Sequence, residues 1–223
     1  MIEKEYNFRK MRTKNIWFLL LLVFGLAIFG CSPRSKYEYR LKRELASGIR
    51  QDSLFMGLYL GMPQLDFYTN SWKLNRSGLI QQGPNNTTVE FKLENELKHP
   101  ATMFYYPEFF EHKIYEMPVR FMYNGWTPWN KELSAENLAI DVLAWYKKVY
   151  GGKFIKVKHP KWGTAFVKID GNRRITIFKE DDTYVWAIFT DMLIKQELDN
   201  PTSKGDIIQN EITKELEKTN ADK

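Results

Sequence analysis

The chain of 223 residues contains one cysteine, Cys31, and only three histidines. A single cysteine excludes an intramolecular disulfide framework, a cysteine-based zinc site and a CxxC redox pair. No two of the histidines have the spacing of metal ligands. The sequence also lacks a G-x-S-x-G motif or another nucleophile signature. We therefore expect no cofactor and no metal, and the residues name no reaction.

Long apolar runs are also missing. The most apolar stretch, Ile16 to Gly30, has 15 residues without charge, whereas a membrane-spanning helix needs about 20. It follows five basic and two acidic residues in positions 1–15. This succession of a basic and an apolar region is typical of a secretory signal peptide. Residues 1–30 are therefore predicted to be cleaved.

The end of this region, Leu26-Ala27-Ile28-Phe29-Gly30-Cys31, resembles the lipobox of bacterial lipoproteins. The resemblance implies cleavage before Cys31, a diacylglycerol on its thiol and a stable membrane anchor. Ser32, and not an aspartate, follows the cysteine, which in the sorting rule of enteric lipoproteins implies an outer-membrane protein that faces the periplasm. The alternative is a buried cysteine at the end of an uncleaved anchor helix.

Cleavage halves the net charge. The signal holds five of the 33 basic and two of the 27 acidic residues, which leaves 28 and 25, so the net charge falls from +6 to +3. A nucleic-acid partner, which a pI of about 9.2 would favour, loses support on both charge and compartment. Disorder of the whole chain is excluded because 43% of the residues are apolar and 15% aromatic.

The mature chain divides by composition into three parts. Residues 31–53 are rich in arginine and lysine and predict a basic tether or a short helix beside the membrane. Residues 54–193 have the apolar periodicity of an α+β domain. Residues 194–223 carry few apolar side chains and predict a loose helix or a disordered tail.

Two helices are predicted within the domain. The first begins near Pro63, shows Leu65, Tyr68 and Trp72 at spacings of three and four, and ends at Gly78. The second follows Ser134 and stops at the glycine pair of residues 151–152.

Strands follow each helix. Alternation of apolar and polar residues predicts strands at 89–94, 103–106 and 115–123, and after the second helix at 153–158, 164–170, 173–179 and 184–190. Asp170-Gly171-Asn172 is a hairpin signal, and Pro118 predicts an edge strand or a bulge.

The order of elements is thus a helix with three or four strands, repeated once. Adjacent strands of this kind give an antiparallel sheet, so we expect an α+β fold with the helices packed on one face of the sheet. It forms one domain or two units, 54–130 and 131–193. Leu60-Gly61-Met62, followed by Asp66-Phe67, resembles the helix entry of small lipoproteins of the outer-membrane β-barrel assembly family and of the related β-lactamase-inhibitor fold. The resemblance implies helix-plus-meander units that serve as non-catalytic protein-binding surfaces.

Two features are candidate interaction sites. Trp126 and Trp129 lie in a loop outside any strand phase, where binding residues are frequent. Lys156, Lys158 and Lys168 are predicted on outward strand phases, where they would form a cationic surface for acidic ligands. The alternative is a solvated sheet face whose lysines discourage edge pairing.

The sequence favours a non-catalytic, lipid-anchored envelope protein whose partners are the membrane, through Cys31, and another envelope protein. The alternative is a module that binds a glycan or an anionic lipid through the two tryptophans and the lysine-rich face. A hydrolase is a third hypothesis, and it requires a cleft with convergent carboxylates or a histidine beside a nucleophile.

Overall fold

A computed structural model describes residues 32–199; the predicted signal peptide, Cys31 with its lipidation, and residues 200–223 of the predicted tail lie outside the described residues. The helices are α1 (Pro33–Ala46), α2 (Gln64–Arg76), α3 (Ala135–Tyr150) and α4 (Met192–Asp199). The strands are β1 (Gln81–Gln82), β2 (Val89–Leu93), β3 (Ala101–Tyr105), β4 (Glu108–Phe110), β5 (Lys113–Tyr123), β6 (Ile155–His159), β7 (Gly163–Asp170), β8 (Arg173–Lys179) and β9 (Val185–Asp191). Short 3-10 turns cover Pro84–Asn86 and Lys131–Leu133.

The strands form one antiparallel sheet. Its order is β1-β2-β3-β5-β9-β8-β7-β6, and β4 pairs with β5 outside this row. The protein is therefore α+β with an antiparallel sheet, as the sequence predicts. Among residues 32–199, no helix combines the length and the apolarity needed to cross a bilayer.

The main core lies between α3 and one face of the sheet. Strand alternation points four side chains of β5 into it: Met117, Val119, Phe121 and Tyr123. From α3, Leu138, Val142 and Tyr146 pack against them and are buried. Their spacing of four residues places the three side chains on one helix face, which explains why α3 forms where the sequence predicts it.

One residue anchors α2. Phe67 is buried, and its ring contacts those of Tyr106 and Phe109. By contrast, the sequence places three apolar residues at helical spacing on this helix, and all three are exposed. Leu65 is 74% exposed, Tyr68 44% and Trp72 61%. We call these three residues the α2 stripe. The helix therefore presents an aromatic surface outward.

The basic segment, predicted as a tether or a short helix, contains the helix α1, which packs against the sheet. α1 packs on the second face of the sheet, over β6 and β7, where buried Leu41 joins Val167 and Ile169 in a small second core. Tyr37 and Leu45 flank Leu41 at spacings of four and complete the apolar stripe of the helix. Helices thus cover both faces of the sheet, and the prediction of packing on one face is wrong. Charged residues dominate α1, so its apolar spacing is not apparent from the sequence.

The edge prediction for Pro118 is also wrong, because β5 lies inside the sheet between β3 and β9. Its ladder with β3 ends at the pair Tyr105–Val119, and β4 resumes at Glu108–Glu116 with a register shift. Pro118 therefore faces an interruption of the ladder on that side, where a missing N–H is tolerated. The expected irregularity is present, but within the sheet.

The predicted Asp170-Gly171-Asn172 hairpin joins β7 to β8 and holds the segment between α1 and α2. The buried Asn172 side chain accepts a hydrogen bond from the Gln51 N–H at 2.7 Å. It donates to the carboxylates of Asp52 and Asp191 at 2.9 and 3.0 Å. A buried amide with three partners fixes the path of the chain between α1 and α2.

Candidate ligand-binding groove

The two tryptophans remain in a loop, directly after β5. Trp129 is 82% exposed, whereas Trp126 is half-buried. Lys156 and Lys158 are exposed and share one face of β6. Three strands, β9, β8 and β7, separate β5 from β6, which amounts to ~19 Å at the usual strand spacing. The structure therefore does not bring the tryptophans and these lysines into one site.

Lys168 lies on the same sheet face as Lys156, since the register pairs Lys156 with Phe166 and side chains alternate. Its side chain is nevertheless buried, and its ammonium group forms an ion pair with Asp170. The backbone after α3 covers it: a Cβ on Gly152 would lie 3.1 Å from Lys168 Cε. The prediction that Lys168 points to solvent is therefore wrong.

The second face of the sheet carries a groove that the sequence reading did not identify. It has a volume of about 780 Å³ and lies between α1, the sheet and the turn after β6. We call it the α1 groove. Its lining consists of Ser32, Pro33, Arg34, Tyr37, Glu38, Glu116, Val157, Lys158, His159, Pro160, Trp162, Ala165, Val167, Arg174, Thr176, Phe178, Ile188 and Lys195. This volume falls in the range of small-molecule sites.

The strand register arranges the floor in three rows that cross the sheet. The first row is polar and consists of Glu116, Thr190 and Arg174. The second consists of Ile188, Thr176 and Val167, and the third of Phe178, Ala165 and Val157. Consecutive rows are two residues apart along each strand, or ~6.6 Å. The groove is therefore polar at one end, and Thr176 is the one polar side chain in the other two rows.

Hydrogen bonds organise the polar end. Arg174 donates from Nη1 to the Tyr37 hydroxyl at 3.2 Å and from Nη2 to Thr190 Oγ1 at 3.3 Å. Thr190 in turn donates to Glu116 Oε2 at 2.8 Å. Arg174 Nε is buried and has no hydrogen-bond partner among residues 32–199. Burial raises the pKa of the Glu116 carboxyl above its ordinary value, although the Thr190 hydrogen bond and the charges of Arg174 and Lys195 oppose the shift.

Three stacked rings form the other end of the groove. Trp162 lies 5.3 Å from Phe178 and His159 lies 6.1 Å from it, with interplanar angles of 20° and 6°. His159 Nδ1 accepts the backbone N–H groups of Lys161 and Trp162 at 3.2 and 3.1 Å. Neutral His159 therefore keeps its proton on Nε2 and offers the groove a donor but no base. We call this set of rings the aromatic stack.

The wall of the groove includes Ser32, the first described residue. Its extended backbone, φ −67° and ψ 148°, immediately precedes the N-terminus of α1, and its hydroxyl accepts the Ser35 N–H at 3.1 Å. This side-chain cap satisfies one of the free donors at the start of the helix. Since Cys31 is the preceding residue, the predicted lipid attachment point is one residue away from the groove wall.

Metal ligation has no support in the described part of the chain: residues 32–199 contain no group of three or more His, Cys, Asp or Glu side chains arranged to hold a cation. The residues that line the groove supply hydrogen-bonding, charged and apolar groups.

Comparison of the chain with protein-family models, with curated proteins and with solved structures finds no match. The function therefore has to be argued from the chemistry of the site.

Proposed function

We propose that this protein is a non-catalytic binding module, held by a lipidated Cys31 at the periplasmic side of a bacterial outer membrane, and that it binds the apolar part of a small ligand in the α1 groove. The observation that carries the proposal is the preformed groove itself. Its floor combines two largely apolar rows with one polar row, the combination that small-molecule sites show.

The position of the groove supports a ligand that comes from the membrane. Ser32 lines the groove and adjoins the predicted anchor. An anchor at Cys31 would hold the groove close to the lipid surface, where amphiphiles are concentrated.

A neutral apolar dye tests the groove. The full chain, reconstituted in phosphatidylcholine nanodiscs, is titrated with N-phenyl-naphthylamine, with empty nanodiscs as the blank. Thr176→Phe places a ring in the middle row and should abolish saturable binding. Thr164→Phe is the control, because Thr164 lies on adjacent β7, on the opposite face, and is exposed. Equal binding by both variants would show that the dye sits elsewhere.

Lipidation is tested by metabolic labelling with a fatty-acid probe. Wild-type protein should be labelled, and Cys31→Ser should not. Equal labelling of the two proteins would refute the anchor.

A second candidate function is binding of another envelope protein, and the exposed α2 stripe favours it. A photo-crosslinking residue in place of Trp72 should give one defined adduct in cells. The control position is Val149, which is 54% exposed on α3. The same adducts from both positions would argue against a specific surface.

The two-unit arrangement, 54–130 and 131–193, also stands as a proposal. Each proposed unit begins with a helix and continues into strands, and the pairing of β5 with β9 would join the two.

A further inference from the structure

We propose that the ligand of the α1 groove is a long-chain carboxylate, bound with its carboxylate at the Arg174 end and its chain directed toward the aromatic stack. This inference rests on the proposed function of the groove and adds the chemical class of the ligand and its orientation. Three observations carry it: the charge of the lining, the donors left on Arg174, and the direction of the floor.

The charge of the lining favours an anion. Three of the side chains on the groove side are cationic, namely Arg34, Arg174 and Lys195, and two are carboxylates, Glu38 and Glu116, whereas Lys158 lies on the opposite face of β6. Lys195 also pairs with Asp199 at 3.3 Å. Burial raises the pKa of the Glu116 carboxyl because it disfavours the charged form. A groove with this excess of positive charge attracts an anionic group.

Arg174 keeps hydrogen-bond donors for that group. A guanidinium group has five N–H donors, and Tyr37 and Thr190 each take one, from different Nη atoms. One proton therefore remains on each Nη. Two donors on one planar group match the two oxygens of a carboxylate, the geometry that distinguishes arginine from lysine.

The floor provides a direction for the chain. Arg174, Thr176 and Phe178 point to the same face of β8, and Phe178 lies ~13 Å from Arg174 along the strand. Between them lies Thr176, with the apolar side chains of Ile188 and Val167 on either side of it. An extended hydrocarbon chain that starts at Arg174 therefore passes over Thr176 and its apolar neighbours until it reaches Trp162 and Phe178.

The test compares two ligands that differ only in the head group. The full chain in phosphatidylcholine nanodiscs is titrated with a dansylated undecanoic acid and with the matching dansylated undecanol, again with empty nanodiscs as the blank. The acid should bind about tenfold more tightly than the alcohol, since hydrogen bonds to a charged group account for a ratio of that size.

Three variants locate the head group. Arg174→Gln should weaken binding of the acid about tenfold and leave the alcohol unchanged. Lys195→Gln leaves the hydrogen bonds of Arg174 in place and should also weaken binding of the acid. This variant keeps the test valid if Arg174→Gln does not fold. Lys156→Gln is the matched control, because Lys156 is exposed on the opposite face, and it should bind both ligands as wild type does.

A bromine on the terminal carbon of a fatty acid reports the orientation. Such an acid should quench the fluorescence of wild-type protein more than that of Trp162→Phe, whereas a bromine beside the carboxylate should quench both proteins equally.

The outcomes separate the two proposals. Equal affinity for acid and alcohol overturns the carboxylate assignment and leaves the groove as a binding site. A lysophosphatidate that displaces the dansylated acid at lower concentration than a fatty acid of equal chain length also overturns it, in favour of a phosphate head group. If the acid, the alcohol and the neutral dye all fail to bind, the proposed function itself is overturned.

Discussion

Gly171, in the β7–β8 hairpin, is the site of a substitution that tests how the fold holds the segment between α1 and α2. Its φ is +52°, in the left-handed region that side chains disfavour. A Cβ at this position would lie 2.1 Å from the carbonyl oxygen of Ile49 and 2.9 Å from its carbonyl carbon. Because the obstacle is backbone, no rotamer change relieves it, and the segment around Ile49 must move in Gly171→Ala.

Two costs add in this variant. A left-handed backbone costs an alanine about 1–2 kcal/mol. Movement of Ile49 also draws Gln51 away from the buried Asn172, whose side-chain oxygen accepts the Gln51 N–H at 2.7 Å. Loss of a hydrogen bond to a buried group costs about 1–3 kcal/mol. We therefore expect Gly171→Ala to lower the free energy of unfolding by about 2–5 kcal/mol.

Gly163 provides the matched control. It ends the neighbouring β6–β7 turn with a φ of +72°, and no atom lies within 4 Å of the position of its Cβ. Gly163→Ala should therefore carry only the backbone cost of about 1–2 kcal/mol. Urea unfolding followed by circular dichroism measures both variants, and amide exchange should accelerate at Gln51 in Gly171→Ala alone. Equal losses of stability and unchanged exchange at Gln51 would refute the close approach of hairpin and segment.

Three further substitutions test the core, the buried lysine and the carboxyl of the groove. Leu138→Ala should lower the free energy of unfolding by about 2–5 kcal/mol. Ile140 lies on the exposed side of the same helix, so Ile140→Ala should change this free energy by less than ~0.5 kcal/mol. Urea unfolding measures both variants. Lys168→Ala removes a partner from Asp170 and should lower the free energy of unfolding by about 1–3 kcal/mol. Lys156→Ala should lower it by less than ~0.5 kcal/mol. Equal losses of stability in the two variants would contradict the burial of Lys168. The pKa of Glu116 is raised in the folded protein, so ionised Glu116 opposes folding at neutral pH and this effect disappears as the pH falls through the folded pKa. Glu116→Gln should therefore have a higher melting temperature than wild type at neutral pH and lose that advantage in acid, and a lower melting temperature at neutral pH would show that the carboxylate stabilises the fold.

The elements that were predicted correctly are those whose signals are local. α3 begins after Ser134 and ends before Gly151, so a serine and a glycine bracket its apolar stripe as the sequence predicts, although the Ser134 side chain makes no capping hydrogen bond. The strands of the second half were located within two residues, since alternation and the Asp170-Gly171-Asn172 turn are both visible in neighbouring positions. These features depend on a few consecutive residues, and one sequence contains them in full.

The features that were missed depend on which strands meet. Burial of Lys168 requires the chain after α3 to pass over β7, and no residue near Lys168 indicates that path. The α1 groove combines residues from α1, from α4 and from five strands, and the polar row forms only because Glu116, Thr190 and Arg174 fall opposite one another in the register. The alternation of Arg174, Thr176 and Phe178 was a signal for one wall, but alternation does not name the neighbouring strand.

The apolar character of the groove floor also bears on its function, because the packing of α1 accounts for only part of it. The eight strands in one row span ~34 Å at the usual spacing, whereas α1, with 14 residues, is ~21 Å long and packs over β6 and β7. A sheet face that no element covers is expected to become polar on alternate positions, as solvated faces of antiparallel sheets do. The floor beside α1 instead keeps Ile188 and Phe178 next to an open volume of about 780 Å³. Apolar side chains retained there, beside arginine and lysine side chains, are accounted for by an amphipathic ligand better than by the requirements of folding.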